Sequence, residues 1–222
     1  MKILFSAFIL FASLSLKSQL QFGAFAGPQI TDVRFVIKDK RQESSVKIGA
    51  TAGLQMKVPF EGRLSFAPFL AYNMRGFNVK FSSPTFPPDS SATDNNTRFH
   101  TVELGFLMQH DFNLEPGHAF IRFGPSLDFA LLGNEQFNTP NGKGDRKMKF
   151  GFSDYGHYLA SAIIQVGFET RNGLFIYGHY NYSLTTMNNA DGGAPIGNRA
   201  AGLTIGTYFK RKNLRLDTQN KQ

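Results

Sequence analysis

Apolar and polar residues alternate along most of the chain, and this alternation predicts β-strands rather than helices. Residues 161–184, SAIIQVGFETRNGLFIYGHYNYSL, show the pattern most clearly, because apolar side chains recur at every second position before and after Arg171-Asn172-Gly173. The whole chain contains eight such segments. They are residues 21–35, 45–58, 63–77, 98–112, 119–132, the two arms of the quoted hairpin, and 198–209.

The links between these segments alternate in length. The second, fourth and sixth segments are followed by the short links PFEG, NLEPGH and RNG, and the links between those are longer, up to residues 133–157. Short turns at one end and long loops at the other are typical of outer-membrane barrels, in which strands of about 9–11 residues cross the bilayer. We therefore predict an all-β fold, an eight-stranded antiparallel up-and-down transmembrane β-barrel, located in the cell outer membrane.

A period of two residues does not by itself say which face of the strands meets water. The polar face of these segments combines many glycines with charges of both signs, and glycine suits a crowded barrel interior better than an open strand surface. We therefore predict that the apolar face meets lipid and that the polar face forms an ion-paired network inside. The hypothetical lumen network consists of Arg75, Glu103, Arg122, Asp128, Glu169 and His179. The alternative is a soluble lipocalin-like barrel that turns its apolar face inward around a lipid.

The first residues have the features of a targeting segment. Lys2 precedes an apolar run from Ile3 to Leu16, which is shorter than a membrane-spanning helix and is followed by small and polar residues. The sequence therefore predicts a signal peptide at residues 1–18, a barrel domain at 19–210 and a periplasmic tail at 211–222.

The amino-acid composition excludes cysteine chemistry and indicates which charged partners to expect. The chain has 24 phenylalanines, 22 glycines and no cysteine, so disulfides and thiolate catalysis are excluded. The formal net charge is +8. Because the protein is predicted to be exported, we expect this positive charge to interact with outer-membrane lipids and not with nucleic acid. A basic patch in the longest outer loop is a hypothetical contact for lipid phosphates or a protein partner. Its members are Lys143, Arg146, Lys147 and Lys149.

Catalytic and metal-binding motifs known from other enzymes do not occur in the sequence. His179 and Ser183 share one strand face, but a separation of four residues in a strand corresponds to about 13 Å, too far for a hydrogen bond. We therefore expect a protein that is not an enzyme and has no catalytic, cofactor-binding or metal-binding residues. A lipid-modifying outer-membrane enzyme remains the alternative.

Four stretches resemble the PorT-like outer-membrane β-barrel family of Bacteroidota. They are TVELGFLMQHDF, AFIRFGPSLDFALLG, DYGHYLASAIIQVGFETRNGLFIYGHYNYSLTTMNN and NRAAGLTIGTYF. Shared landmarks are Gly124-Pro125, Gly167-Phe168-Glu169 and residues 173–185, whereas LGFLMQHDF replaces the IPLLLKY that members often have. The resemblance implies an eight-stranded barrel in the outer membrane. Because a few members support protein secretion alongside gliding or type IX export machinery, it also implies periplasmic or secretion-machinery proteins as hypothetical partners.

Overall fold

The computed structural model describes residues 20–209, so the predicted signal peptide and the predicted tail at 211–222 lie outside the described residues. Within this range there are ten strands, and their bounds are as follows. They are β1 (Gln21–Ile37), β2 (Lys40–Arg41), β3 (Glu43–Glu61), β4 (Leu64–Lys80), β5 (Asp94–Asp111), β6 (His118–Thr139), β7 (Gly142–Lys147), β8 (Tyr158–Glu169), β9 (Leu174–Ser183) and β10 (Ile196–Tyr208).

Eight of these strands form a closed antiparallel ring. The order around the ring is β1-β3-β4-β5-β6-β8-β9-β10, and β10 closes it by pairing with β1 from Gly23↔Tyr208 to Phe35↔Ile196. Consecutive ring strands are neighbours throughout, so the predicted up-and-down barrel is confirmed. The two remaining strands are extensions of the ring strands, since β2 pairs with the end of β1 and β7 pairs with the end of β6.

The strands at the loop end are longer than alternation predicted. Strand β6 continues to Thr139 instead of ending at residue 132, and β7 turns part of the predicted loop 133–157 into a hairpin. The outward positions beyond residue 132 are Asn134, Gln136 and Asn138, so the apolar half of the alternation disappears there although the hydrogen-bond ladder continues. Alternation therefore marked where the apolar surface ends, not where the strands end.

The apolar face of the ring points outward, as predicted. Ile164 and Val166 on β8 are 44% and 55% exposed, whereas Gln165 between them is 6% exposed. The same holds around the barrel, where exposed large apolar residues include Phe22, Ile48, Leu104, Phe123, Ile176 and Leu203. A continuous band of this kind needs a lipid environment, which makes the lipocalin-like alternative wrong. Among residues 20–209 no helix is long and apolar enough to cross a membrane.

Close packing inside the ring explains the glycines of the inward face. A Cβ atom on Gly105 would lie 1.9 Å from the Phe69 ring, and one on Gly206 would lie 2.3 Å from the Phe175 ring. These contacts are far below van der Waals distance, so the aromatic rings occupy the space that the glycines leave free. The interior of this barrel is therefore filled, as expected for eight strands.

The interior is less polar than the sequence predicted, because two apolar clusters lie inside it. The loop-side cluster comprises Val33, Phe35, Ile37, Phe77, Val79, Phe99, Met148, Tyr155, Leu159, Met187 and Ile196. The turn-side cluster comprises Phe25, Ala67, Phe69, Ala71, Leu107, Phe120, Ile163, Phe175, Tyr177 and Tyr208. The Arg75 ion pairs lie between these clusters, whereas Arg122 is packed against Phe120 within the turn-side cluster.

Candidate functional site

A central polar layer is built around Arg75 on β4. Its Nη2 lies 2.7 Å from Glu103 Oε2 on β5, and its Nη1 lies 2.9 Å from Asp128 Oδ2 on β6. All three side chains are buried, so this is one cation between two carboxylates inside the barrel. The antiparallel register aligns Glu103 directly with Asp128, which brings the two acids to the same height.

Neutral donors satisfy the remaining carboxylate oxygens of this layer. Thr101 Oγ1 donates to Asp128 Oδ1 at 2.9 Å, and Ser126 Oγ donates to Glu103 Oε1 at 2.7 Å. Amide nitrogens of Asn73 and Asn181 each donate to Glu103 at 2.7 Å. Because burying a carboxylate is costly unless its oxygens accept hydrogen bonds, these donors stabilise the layer.

Arg122 and His179 do not take part in this ion pairing, although the sequence grouped them with it. The Arg122 guanidinium stacks 4.2 Å from the centre of the Phe120 ring. Its hydrogen bonds go to neutral groups, namely Gln55, Gln109, Gln165 and the Tyr208 hydroxyl. His179 Nδ1 lies 3.3 Å from Thr204 Oγ1. A void of about 30 Å³ beside His179 and Arg75, roughly the space of one water molecule, lies in this part of the lumen.

Glu169 belongs to a separate cluster at the turn end of the barrel. Lys57 Nζ lies 2.9 Å from Glu169 Oε2 and 3.0 Å from Asp111 Oδ2, and His118 Nε2 lies 3.2 Å from Asp111 Oδ1. The hypothetical lumen network contained Glu169 but not Lys57, Asp111 or His118. Alternation with apolar residues places Lys57 and Asp111 on the inward face of their strands, whereas His118, at the first position of β6, has no such signal.

The proposed basic patch in the outer loop is not a single surface, which corrects the sequence prediction. Lys143, Lys147 and Lys149 are exposed. Arg146, however, lies on the opposite face of β7, where its Nε is 2.7 Å from Glu135 Oε2 and its Nη1 is 2.8 Å from Asp154 Oδ2. Strand formation at Gly142–Lys147 is the reason, because alternate residues of a strand point to opposite sides.

Loop residues close over the loop end of the barrel around this arginine. The Tyr155 hydroxyl donates to Glu135 Oε1, and Asn95 Nδ2 donates to the same oxygen at 2.8 Å. Burial, reinforced by the Glu135 carboxylate, raises the pKa of Tyr155 well above its usual value, so the phenol stays protonated and remains a donor. Asn188 Nδ2 donates to the carbonyls of Phe86 and Ala194 and so connects two further loops.

The structure does not bring together a nucleophile and a base at the pair that the sequence singled out. Ser183 Oγ donates to the Thr185 carbonyl at 2.7 Å, whereas His179 faces Thr204. Among residues 20–209, no group of three His, Asp or Glu side chains is arranged to hold a metal ion.

A closed antiparallel ring of strands, with apolar side chains facing outward and an interior filled by side chains, defines a transmembrane β-barrel of the outer-membrane type. Sequence comparison agrees with this class, because the family described as "Outer membrane protein beta-barrel domain" matches residues 11–189. The chain belongs to this family and is a protein of the outer membrane. No curated protein matches the sequence significantly.

Three solved outer-membrane structures are similar to this chain. Ail, the attachment invasion locus protein of Yersinia pestis, is 13% identical with a TM-score of 0.44, and the match covers 85% of this chain and 98% of Ail. Neisserial surface protein A is 12% identical with a TM-score of 0.43, covering 85% and 97% of the two chains. The N-terminal barrel domain of Pseudomonas aeruginosa OprF is 12% identical with a TM-score of 0.32, covering 83% and 97%.

Proposed function

We propose that this protein is a sealed outer-membrane barrel that acts through its surfaces, as a structural and interaction protein, and neither conducts solutes nor catalyses a reaction. The observation that carries this proposal is the filled interior. The Arg75 layer lies between two apolar clusters, and aromatic side chains press against the inward glycines. What remains available to partners is the outer wall, which meets membrane lipids, and the two ends.

Planar bilayers test the absence of a pore. The purified protein is inserted into a planar lipid bilayer, and insertion is verified by the altered gel mobility of the unheated, folded barrel. We expect no steady ionic current, because side chains fill the lumen of the barrel. Reproducible single-channel steps that scale with protein concentration would contradict the proposal.

The absence of catalysis has its own test. His179→Ala removes the lumen imidazole that a lipid-modifying enzyme of this type would use as its base. We expect cells that produce this variant to have the same acyl-chain profile of outer-membrane lipids as cells that produce the unchanged protein. A change that depends on His179 would favour the lipid-modifying alternative.

We further propose that the protein supports protein secretion. The resemblance to PorT-like barrels supports this role, and the turn end, which faces the periplasm in barrels of this class, is the surface that a periplasmic partner could reach. The test is purification of the intact chain from chemically cross-linked outer membranes. Co-purified secretion subunits are the expected result, and their reproducible absence would contradict the secretion role without affecting the sealed barrel.

A further inference from the structure

Two rows of polar side chains cross the outer wall at the loop ends of five adjacent strands, β3 to β7. The first row follows the strand pairing from Ser45 to Asn78, Asn96, Gln136 and Asp145. All of these residues point away from the lumen, since the residues that alternate with them on β4, β5 and β6 are buried inside. The row therefore continues the outer surface of the barrel with amides, a hydroxyl and a carboxylate.

The second row runs beside the first, one alternate position closer to the loops. It consists of Glu43, Lys80, Asp94, Asn138 and Lys143. Lys80 Nζ lies 3.5 Å from Glu43 Oε2, and Asn138 donates to both oxygens of Asp94, from its backbone nitrogen at 2.9 Å and from Nδ2 at 2.6 Å. These contacts join the polar groups of the row across neighbouring strands.

The two rows line a single concave cleft, here called the outer-wall groove, with a volume of about 740 Å³. This lies within the range of roughly 300–1,000 Å³ that is typical of ligand pockets. Most of the lining residues carry polar side chains, and Val79, Phe137 and Gly144 add apolar surface between them.

The position of the groove relative to the membrane decides which molecules can reach it. On β4 the outward Tyr72 still belongs to the apolar surface, and its hydroxyl is 2.5 Å from His100 Nδ1 on the neighbouring strand. Asn78 lies six residues further along β4, which corresponds to about 20 Å along the strand. The groove thus begins beyond the apolar band, at the loop end, and opens sideways toward the lipid headgroups and not into the barrel mouth.

Charge and hydrogen-bonding capacity select the chemistry of the ligand. The lining carries three carboxylates, Glu43, Asp94 and Asp145, and two ammonium groups, Lys80 and Lys143. Lys47 Nζ, which donates to Asn96, adds a third ammonium group at the edge. These charges balance, so they give the groove no surplus of positive charge for a phosphate. Side-chain amides both donate and accept hydrogen bonds, and carboxylates accept them. A run of such groups complements the hydroxyls of a sugar, each of which also donates and accepts.

We propose that the outer-wall groove binds the uncharged sugar units in the headgroup of an outer-leaflet glycolipid. A glycolipid is favoured over a free polysaccharide because its acyl chains lie against the apolar band directly below the groove. The lipid anchor then holds the sugar at a high effective concentration beside the two rows. The inference rests on the outer-membrane location and does not depend on the sealed barrel or on the secretion role.

The test compares two glycolipids in nanodiscs that contain the intact protein. One is lipopolysaccharide with its complete core oligosaccharide, and the other is a deep-rough form that retains the lipid phosphates but lacks most core sugars. Native mass spectrometry measures which form the barrel retains. We expect preferential retention of the complete form, and we expect Asn96→Ala/Gln136→Ala to reduce this preference about tenfold, because two hydrogen-bonding side chains are lost.

Asn141→Ala is the matched control, because Asn141 is an exposed amide in the β6–β7 turn outside the groove, and this variant should keep the preference. Folding of all variants is checked by gel mobility. Equal retention of both glycolipids, or an unchanged preference in the double variant, would overturn the proposal. Binding of the free core oligosaccharide as tight as that of the complete glycolipid would overturn the choice of a lipid-anchored ligand.

Discussion

At the scale of single residues, Arg75 allows two carboxylates to be buried as charged groups at the centre of the barrel. It is the cation for both Glu103 and Asp128, and the remaining oxygens of these carboxylates are satisfied by neutral donors. Sequence patterning identified the three residues as inward-facing, because they alternate with apolar residues. It could not identify their pairing, because that depends on the register between β4, β5 and β6.

Arg75→Met should destabilise the protein strongly, because two buried carboxylates lose the cation that pairs with both of them. We expect the free energy of unfolding to fall by about 3–5 kcal/mol. The measurement is urea unfolding of the barrel in lipid vesicles, followed by circular dichroism.

The matched variant for this experiment is Arg75→Met/Glu103→Gln/Asp128→Asn, which has no unpaired charge in the layer. It should recover most of the lost stability, because the cost comes from uncompensated charge and not from lost volume. Equal destabilisation of the single and the triple variant would show instead that packing of the arginine is what matters.

At the scale of elements, the formation of strand β7 separates the basic residues of the longest loop onto two faces. Sequence reasoning treated residues 143–149 as one positively charged loop, but strand β7 presents Lys143 and Lys147 on one side and Arg146 on the other. Arg146 then connects β6, through Glu135, with the loop that carries Asp154. The segment lacks alternating apolar residues, so the signal that predicts strands was missing.

Arg146→Ala should loosen the loops over the barrel, because Glu135 and Asp154 lose their shared partner. We expect faster cleavage within residues 148–157 by a protease added to the outside of proteoliposomes. Lys147→Ala is the control at the neighbouring exposed position, and it should be cleaved at the rate of the unchanged protein. If both variants are cleaved equally fast, the inward ion pairs of Arg146 do not hold the loop.

At the scale of the whole molecule, the direction in which the apolar face points determines where the protein resides. The outward apolar band suits the folded chain to the interior of a membrane. Pairing of β1 with β10 closes the ring, so the backbone hydrogen bonds of these two strands are satisfied within the bilayer. Membership in the outer-membrane barrel family agrees with this arrangement.

Ile164→Cys provides a direct test of this orientation, because the chain has no native cysteine. We expect the thiol to remain unmodified by a membrane-impermeant maleimide in intact outer membranes, since position 164 faces lipid. Lys147→Cys, on the exposed face of β7, should react under the same conditions, and both should react after unfolding. Equal labelling in the membrane would mean that the apolar face is in contact with water.

The sequence alone determined the period of the strands, the alternation of turns and loops and the residues of the apolar face, because these depend on local alternation and on segment length. Only the tertiary structure decided which inward charges meet, where the apolar clusters lie, that Arg146 turns inward, and that polar residues from five strands form one groove. Each of these features joins residues that are distant in the chain. Strand register and ring closure, which no local pattern encodes, bring them together.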